Sequence, residues 1–102
     1  MSRPERLLFP PKLIEQTMNR LRRDLRRLHR RVRSGGIPSP GRAKTLGEEA
    51  IREQYGAYIR RINEYLEDHG LKPLTGEEPA VKEPFEEVKS SWARIVDDMF
   101  RV

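Results

Sequence analysis

Apolar residues recur at helical spacing in three separate stretches of this chain. Ile14, Met18, Leu21, Leu25, Leu28 and Val32 are separated by alternating steps of four and three, so a helix gathers them into one stripe. Ile51, Tyr55, Tyr58, Ile59, Ile62, Tyr65 and Leu66 form a second stripe, and Phe85, Val88, Trp92, Ile95, Val96, Met99 and Phe100 a third. The pattern predicts an all-α protein in which three main amphipathic helices pack as a small bundle. Its expected core or oligomer-interface positions are Leu21, Leu25, Leu28, Tyr55, Tyr58, Ile62, Leu66, Phe85, Trp92, Ile95 and Met99.

Turn-forming residues set the expected boundaries. Pro10 and Pro11 suit a helix start, where amide donors have no partner to lose, and Ser34-Gly35-Gly36 supplies a stop; helix one is therefore expected over about 11–33. A Pro/Gly linker over 34–44 follows. Thr45 with Glu48 three residues on matches a capping box, which places helix two at about 46–69, ended by Gly70. Gly56, inside that helix, costs roughly 1 kcal/mol against alanine and is read as a point of close helix approach. Residues 70–83, with Pro73, Gly76 and Pro79, read as a turn region whose tip is Thr75-Gly76-Glu77, and Pro84 opens helix three at about 84–100. All 102 residues are assigned to one domain.

Charge changes this picture more than composition does. Residues 1–44 hold 13 basic and 3 acidic groups, whereas residues 45–102 hold 8 and 13. Most of the asymmetry comes from Arg20, Arg22, Arg23, Arg26, Arg27, Arg30, Arg31 and Arg33, which share their fourteen residues with a single carboxylate, Asp24. On a helix these arginines fan over the side opposite the apolar stripe. The guanidinium fork donates paired bonds to phosphate or carboxylate, and clustered positive charge attracts a polyanion. Nucleic acid, held mainly by its phosphate backbone, is the favoured partner, and an acidic protein surface is the alternative. The acidic second half is a possible internal competitor for the same arginines. Base readout has little to work with, since only a short polar set such as Gln16, Thr17 and Asn19 accompanies them. With apolar and charged residues nearly equal, at 35% and 36%, stability is expected to draw on helix pairing or a homo-oligomer.

Other chemistry finds little support. Absence of cysteine removes disulfides, thiolate ligands and thiol nucleophiles. His29 and His69 fall on different helices without a ligand pattern, so no metal is expected, and His69 beside Gly70 suits a helix C-terminus. The carboxylate pairs Glu48-Glu49, Glu77-Glu78, Glu86-Glu87 and Asp97-Asp98 are adjacent in sequence, whereas acid–base catalysis needs opposed groups in a cleft. Gly35-Gly36 lacks the lysine of a phosphate loop. No catalytic residue and no cofactor are assigned, and a non-enzymatic protein is expected. Tyr55, Tyr58 and Tyr65 border the second stripe, which favours core packing over base stacking. The early apolar run of three residues is short for a signal peptide and no run is long enough to span a membrane, so no membrane partner and an intracellular or virion location are expected.

From Ala50 onward the order of features resembles the C-terminal half of small terminase subunits of tailed phages. The resemblance is carried by the helix with Tyr55 and Tyr58, the stop at Gly70-Leu71, the turn at Gly76, and Lys82-Glu83-Pro84 leading into a final amphipathic helix. Glu83 stands where the family often has asparagine. The resemblance implies a non-enzymatic, oligomeric DNA-packaging component that presents viral DNA to a motor subunit. A regulatory factor that docks its basic helix on an acidic partner, or a structural subunit of a larger assembly, are the competing readings.

Overall fold

The computed structural model describes residues 11–101 and is built from three helices, with no strand among the described residues. They are α1 (Pro11–Arg33), α2 (Pro40–Asp68) and α3 (Pro79–Met99). The molecule is elongated, 57 × 19 × 19 Å. Helix α2 packs along both neighbours, whereas α1 and α3 meet only briefly.

Both predicted glycine stops close their helices in the same way. Gly35 takes a φ of +86°, with Gly35 N–H bonded to the Val32 carbonyl and Gly36 N–H to that of Arg31. Gly70, at +69°, repeats the arrangement: its own N–H bonds to the Glu67 carbonyl and that of Leu71 to Leu66. This paired-bond ending satisfies carbonyls that a helix terminus otherwise leaves open, and it needs a left-handed residue that glycine adopts without strain. His69 caps α2, its Nδ1 lying 2.8 Å from the Tyr65 carbonyl.

The helix starts differ from the sequence expectation. α2 begins at Pro40, not near 46: Ser39 is the N-cap, and its Oγ accepts from Arg42 N–H at 3.3 Å. Thr45 is inside the helix, where its hydroxyl donates back to the Gly41 carbonyl at 3.0 Å. α3 begins at Pro79, not Pro84, which instead lies within the helix. Both shifts shorten the connections, to 34–39 and 69–78.

Two apolar clusters hold the bundle. The larger joins Leu21 of α1 to Ile51, Tyr58, Ile62 and Leu66 of α2 and to Val81 and Phe85 of α3, with Leu25 and Tyr55 half-buried against it. The rings of Tyr55 and Tyr58 meet Phe85 at 4.8 and 5.5 Å. A smaller cluster, toward the α1–α2 turn, consists of Ile37, Ala43, Trp92 and Val96, with Leu28 and Met99 packed on it. Ile95 departs from the expected core: at 41% exposure it faces out. Ile37, expected in a linker, is 3% exposed and plugs the bundle end.

Trp92 is the joint between α2 and α3. Its indole is 2% exposed and donates to the Ala43 carbonyl at 3.1 Å. The ring occupies the space over Gly47, where a Cβ would stand 1.9 Å from Nε1. Gly47, not Gly56, is therefore the point of close approach. A Cβ on Gly56 meets only the end of Arg60, at 3.7 Å.

Candidate nucleic-acid interface

Helix α1 buries one side and leaves the arginines on the other. Leu21 is fully buried, Leu25, Leu28 and Val32 are half-buried, and all eight residues Arg20, Arg22, Arg23, Arg26, Arg27, Arg30, Arg31 and Arg33 are exposed. The four-three register that seats the stripe on α2 thus turns the guanidiniums outward. Thr17 belongs with the buried side: it is 0% exposed and its hydroxyl donates to the Leu13 carbonyl at 2.8 Å, so it is withdrawn from the polar set expected beside the arginines.

Among the described residues the ion pairs are Lys44–Asp97 at 2.7 Å, Lys82–Glu77 at 3.1 Å and Arg101–Asp98 at 3.7 Å, and none involves one of the eight arginines. The side-chain bonds the arginines do make are local: Arg22 donates to Asn19 Oδ1 at 3.1 Å, and Arg26 Nε to the Arg22 carbonyl at 3.4 Å. Arg23, Arg26 and Arg30, three and four residues apart, line a cleft of about 310 Å³ together with His29. An anion seated there meets guanidinium donors from successive turns. In the sequence His29 raises only the question of a metal ligand. Its place beside the arginines follows from its helical position, but that it borders this cleft depends on side-chain directions the spacing does not fix.

The two flanks of the face differ. Toward α2, Arg27 and Arg31 share a groove of about 280 Å³ with Asp24, Glu49 and Glu53. Asp24 accepts from Gln54 Nε2 at 3.5 Å, which ties the lone carboxylate of the arginine run to α2. Acidic groups thus border the face on this side without forming direct pairs among the described residues. Toward α3, Arg22 and Arg26 edge a groove with Leu25, Val88 and Ile95 in it.

Among the described residues His29 is the one ring in the arginine cleft, and no tyrosine, phenylalanine or tryptophan lines it. Tyr58 is buried, and burial raises its hydroxyl above the ordinary phenol value. Tyr55 is half-buried, and its hydroxyl, also raised by burial, donates to the Gly76 carbonyl. Tyr65 stacks on His69 with centroids 4.3 Å apart.

The carboxylates are engaged structurally where the structure gives them partners. Glu78 accepts from Thr75 N–H at 3.0 Å and Gly76 N–H at 2.9 Å. The Thr75 amide, its own amide and that of Gly76 hold its carboxyl below the usual range. The hydrogen bond and charge of Glu77 hold Lys82 above the ordinary lysine value. Asn63 clamps the same loop, donating to the Leu74 carbonyl at 3.1 Å and accepting its N–H at 2.7 Å. This asparagine, unremarked in the sequence, follows Ile62 inside the second stripe, where a polar residue needs a buried or bordering partner. Among the described residues no group of three or more His, Asp or Glu side chains is placed to hold a metal ion, and no helix is long and apolar enough to cross a membrane.

The fold and the exposed face define a small all-helical protein with three helices among the described residues and an arginine-covered outer helix. No family model, curated protein or solved structure gives a significant match to the chain.

Proposed function

We propose that the protein binds nucleic acid without catalysing a reaction, gripping the phosphate backbone with the outer face of α1. The observation that carries this reading is eight exposed arginines with no carboxylate paired to any of them among the described residues. Arg23, Arg26 and Arg30 around their cleft form its centre, and Arg20, Arg27 and Arg31 extend it along the helix. Backbone contact, not base reading, fits an interface made of guanidiniums with few polar companions. Viral DNA packaging or virion assembly is the setting suggested by the resemblance to small terminase subunits.

The test is a titration of labelled duplex and single-stranded oligonucleotides at increasing salt. Binding at low salt that weakens steeply as salt rises is the expected result, and no affinity for either at low salt would sink the proposal. Replacing Arg23, Arg26, Arg27 and Arg30 with glutamine should weaken binding, and on a duplex each phosphate left without its arginine should take about 0.9 off the logarithmic salt slope. An acidic protein partner would instead survive nuclease treatment in a pull-down and outcompete the oligonucleotide.

A further inference from the structure

Because α2 separates α1 from α3 along most of their length, a groove stays open between those two outer helices. Leu25, Val88 and Ile95 lie in one part of it, a space of about 630 Å³. It continues past Val32 and Met99 in a second space of about 640 Å³. Among the described residues Ile95 is the exposed large hydrophobic side chain, and it borders both parts. An apolar floor of this kind, open along two helices, is a surface that remains to be covered.

The rims say what covers it. The α1 edge carries Arg22, Arg26 and Arg33, and the α3 edge carries Glu87 and Asp98. Arg22 and Glu87 line the first part and Arg33 and Asp98 the second, so the two helices run in the same direction. A rim that is basic on one side and acidic on the other is complementary to itself under one operation. A two-fold axis parallel to the helices sets each copy's α1 edge against the other's α3 edge at the same level, with the apolar strips face to face. An axis across the helices would oppose like charges, which disfavours association. We infer that the α1–α3 groove is the contact surface of a two-fold homodimer, with Ile95 at its apolar centre and Arg22 and Arg26 of each copy facing the acidic edge of the other. The surface shares Arg22 and Arg26 with the nucleic-acid face but not Arg20, Arg23, Arg27, Arg30 and Arg31, so Ile95→Glu, which touches none of the arginines, tests the dimer apart from nucleic-acid binding.

The full chain's mass in solution, measured by light scattering across a concentration series, should reach that of a dimer. Ile95→Glu should return it to the monomer mass with unchanged helical circular dichroism, because this side chain lies outside the fold's core. Arg22→Glu and Glu87→Arg should each weaken self-association by about tenfold or more, since both contacts then bring like charges together. Mixed together, those two variants should recover a heterodimer, as one of the two symmetry-related contacts again joins opposite charges and the other joins the same pair reversed. That recovery is not produced by an effect confined to one chain. A wild-type chain that stays monomeric, a dimer indifferent to Ile95→Glu, or charge variants that do not complement each other would overturn the inference. A dimer that forms only after residues 1–10 are removed would assign the groove to that segment and overturn it equally.

Discussion

Gly47 and Gly56 lie on the same helix and do opposite things. At Gly47 the Trp92 indole fills the volume of the missing side chain, with Cδ1 2.3 Å from where a Cβ would stand. Alanine there must push the ring off the Ala43 carbonyl or force α2 and α3 apart. Gly47→Ala is expected to destabilise by about 1–3 kcal/mol, the usual range for overpacking a close-packed site, and thermal melts followed by circular dichroism measure it. Gly56 has only a flexible arginine end near it, so its cost is the backbone entropy of a mid-helix glycine. Gly56→Ala should therefore stabilise by up to about 1 kcal/mol in the same assay. The sequence pointed to the wrong glycine because propensity marks both equally, and what separates them is a tryptophan far along the chain. Trp92 itself was legible as a packing anchor from the third stripe. Its carbonyl acceptor was not, since Ala43 sat in what looked like linker.

At the level of elements, the helix ends that rely on glycine were readable, and the starts that offered two signals were not. Gly35 and Gly70 each have one interpretation, a left-handed residue after a periodic run. At the start of α2 the expectation rested on Thr45 and Glu48, but Ser39 is the cap because Pro40 after it stands at the first helical position, where a proline costs no hydrogen bond. The same rule applied to Pro84 fails because Pro79 already holds that role, which leaves Pro84 inside α3 without an amide to donate. The turn between α2 and α3 is held by side chains whose partners are fixed only in the fold: Asn63 on Leu74, Tyr55 on Gly76, and Glu78 on two loop amides. Glu78 gives that turn a pH dependence. Its carboxyl is held below its ordinary value of 4.5, so its contribution is complete above that pH and is lost as pH falls through the lowered folded value. Glu78→Gln should lower the melting temperature at neutral pH and flatten its decline on acidification below 4.5. Melts across an acidic pH series check it, and an unchanged slope in the variant would remove Glu78 from the account.

For the whole molecule, the exposed arginine face is a source of instability as well as of attraction. Arg22–Arg26, Arg23–Arg27, Arg26–Arg30 and Arg27–Arg31 are like-charge neighbours four residues apart, and each such pair destabilises a helix by about 0.2–0.5 kcal/mol at low salt. Asp24, the one carboxylate in the run, hydrogen-bonds to Gln54 of α2, and among the described residues no arginine is paired with it. The sequence made this charge excess plain, but whether the acidic second half would neutralise it depended on which helices pack together. In the fold Glu49 and Glu53 border Arg27 and Arg31 on the α2 flank and Glu87 borders Arg22 and Arg26 on the α3 flank, while the cleft of Arg23, Arg26 and Arg30 between them holds no carboxylate. Screening should therefore help the fold: the melting temperature is expected to rise as sodium chloride increases from low to physiological concentration. The glutamine variant of Arg23, Arg26, Arg27 and Arg30 should melt higher than wild type at low salt, by about 4–8 °C if roughly 1 kcal/mol of repulsion is relieved. Its advantage should shrink as salt screens the wild type. A short oligonucleotide should supply the same relief to the wild type through binding and leave the variant nearly unmoved. A single set of melts, with and without salt and oligonucleotide, thereby distinguishes repulsion from recognition: salt alone reports the first, and the oligonucleotide shift at fixed salt reports the second. If the variant melts lower than wild type at low salt, these arginines stabilise the folded chain, and the picture of an unpaired face held for a polyanion fails.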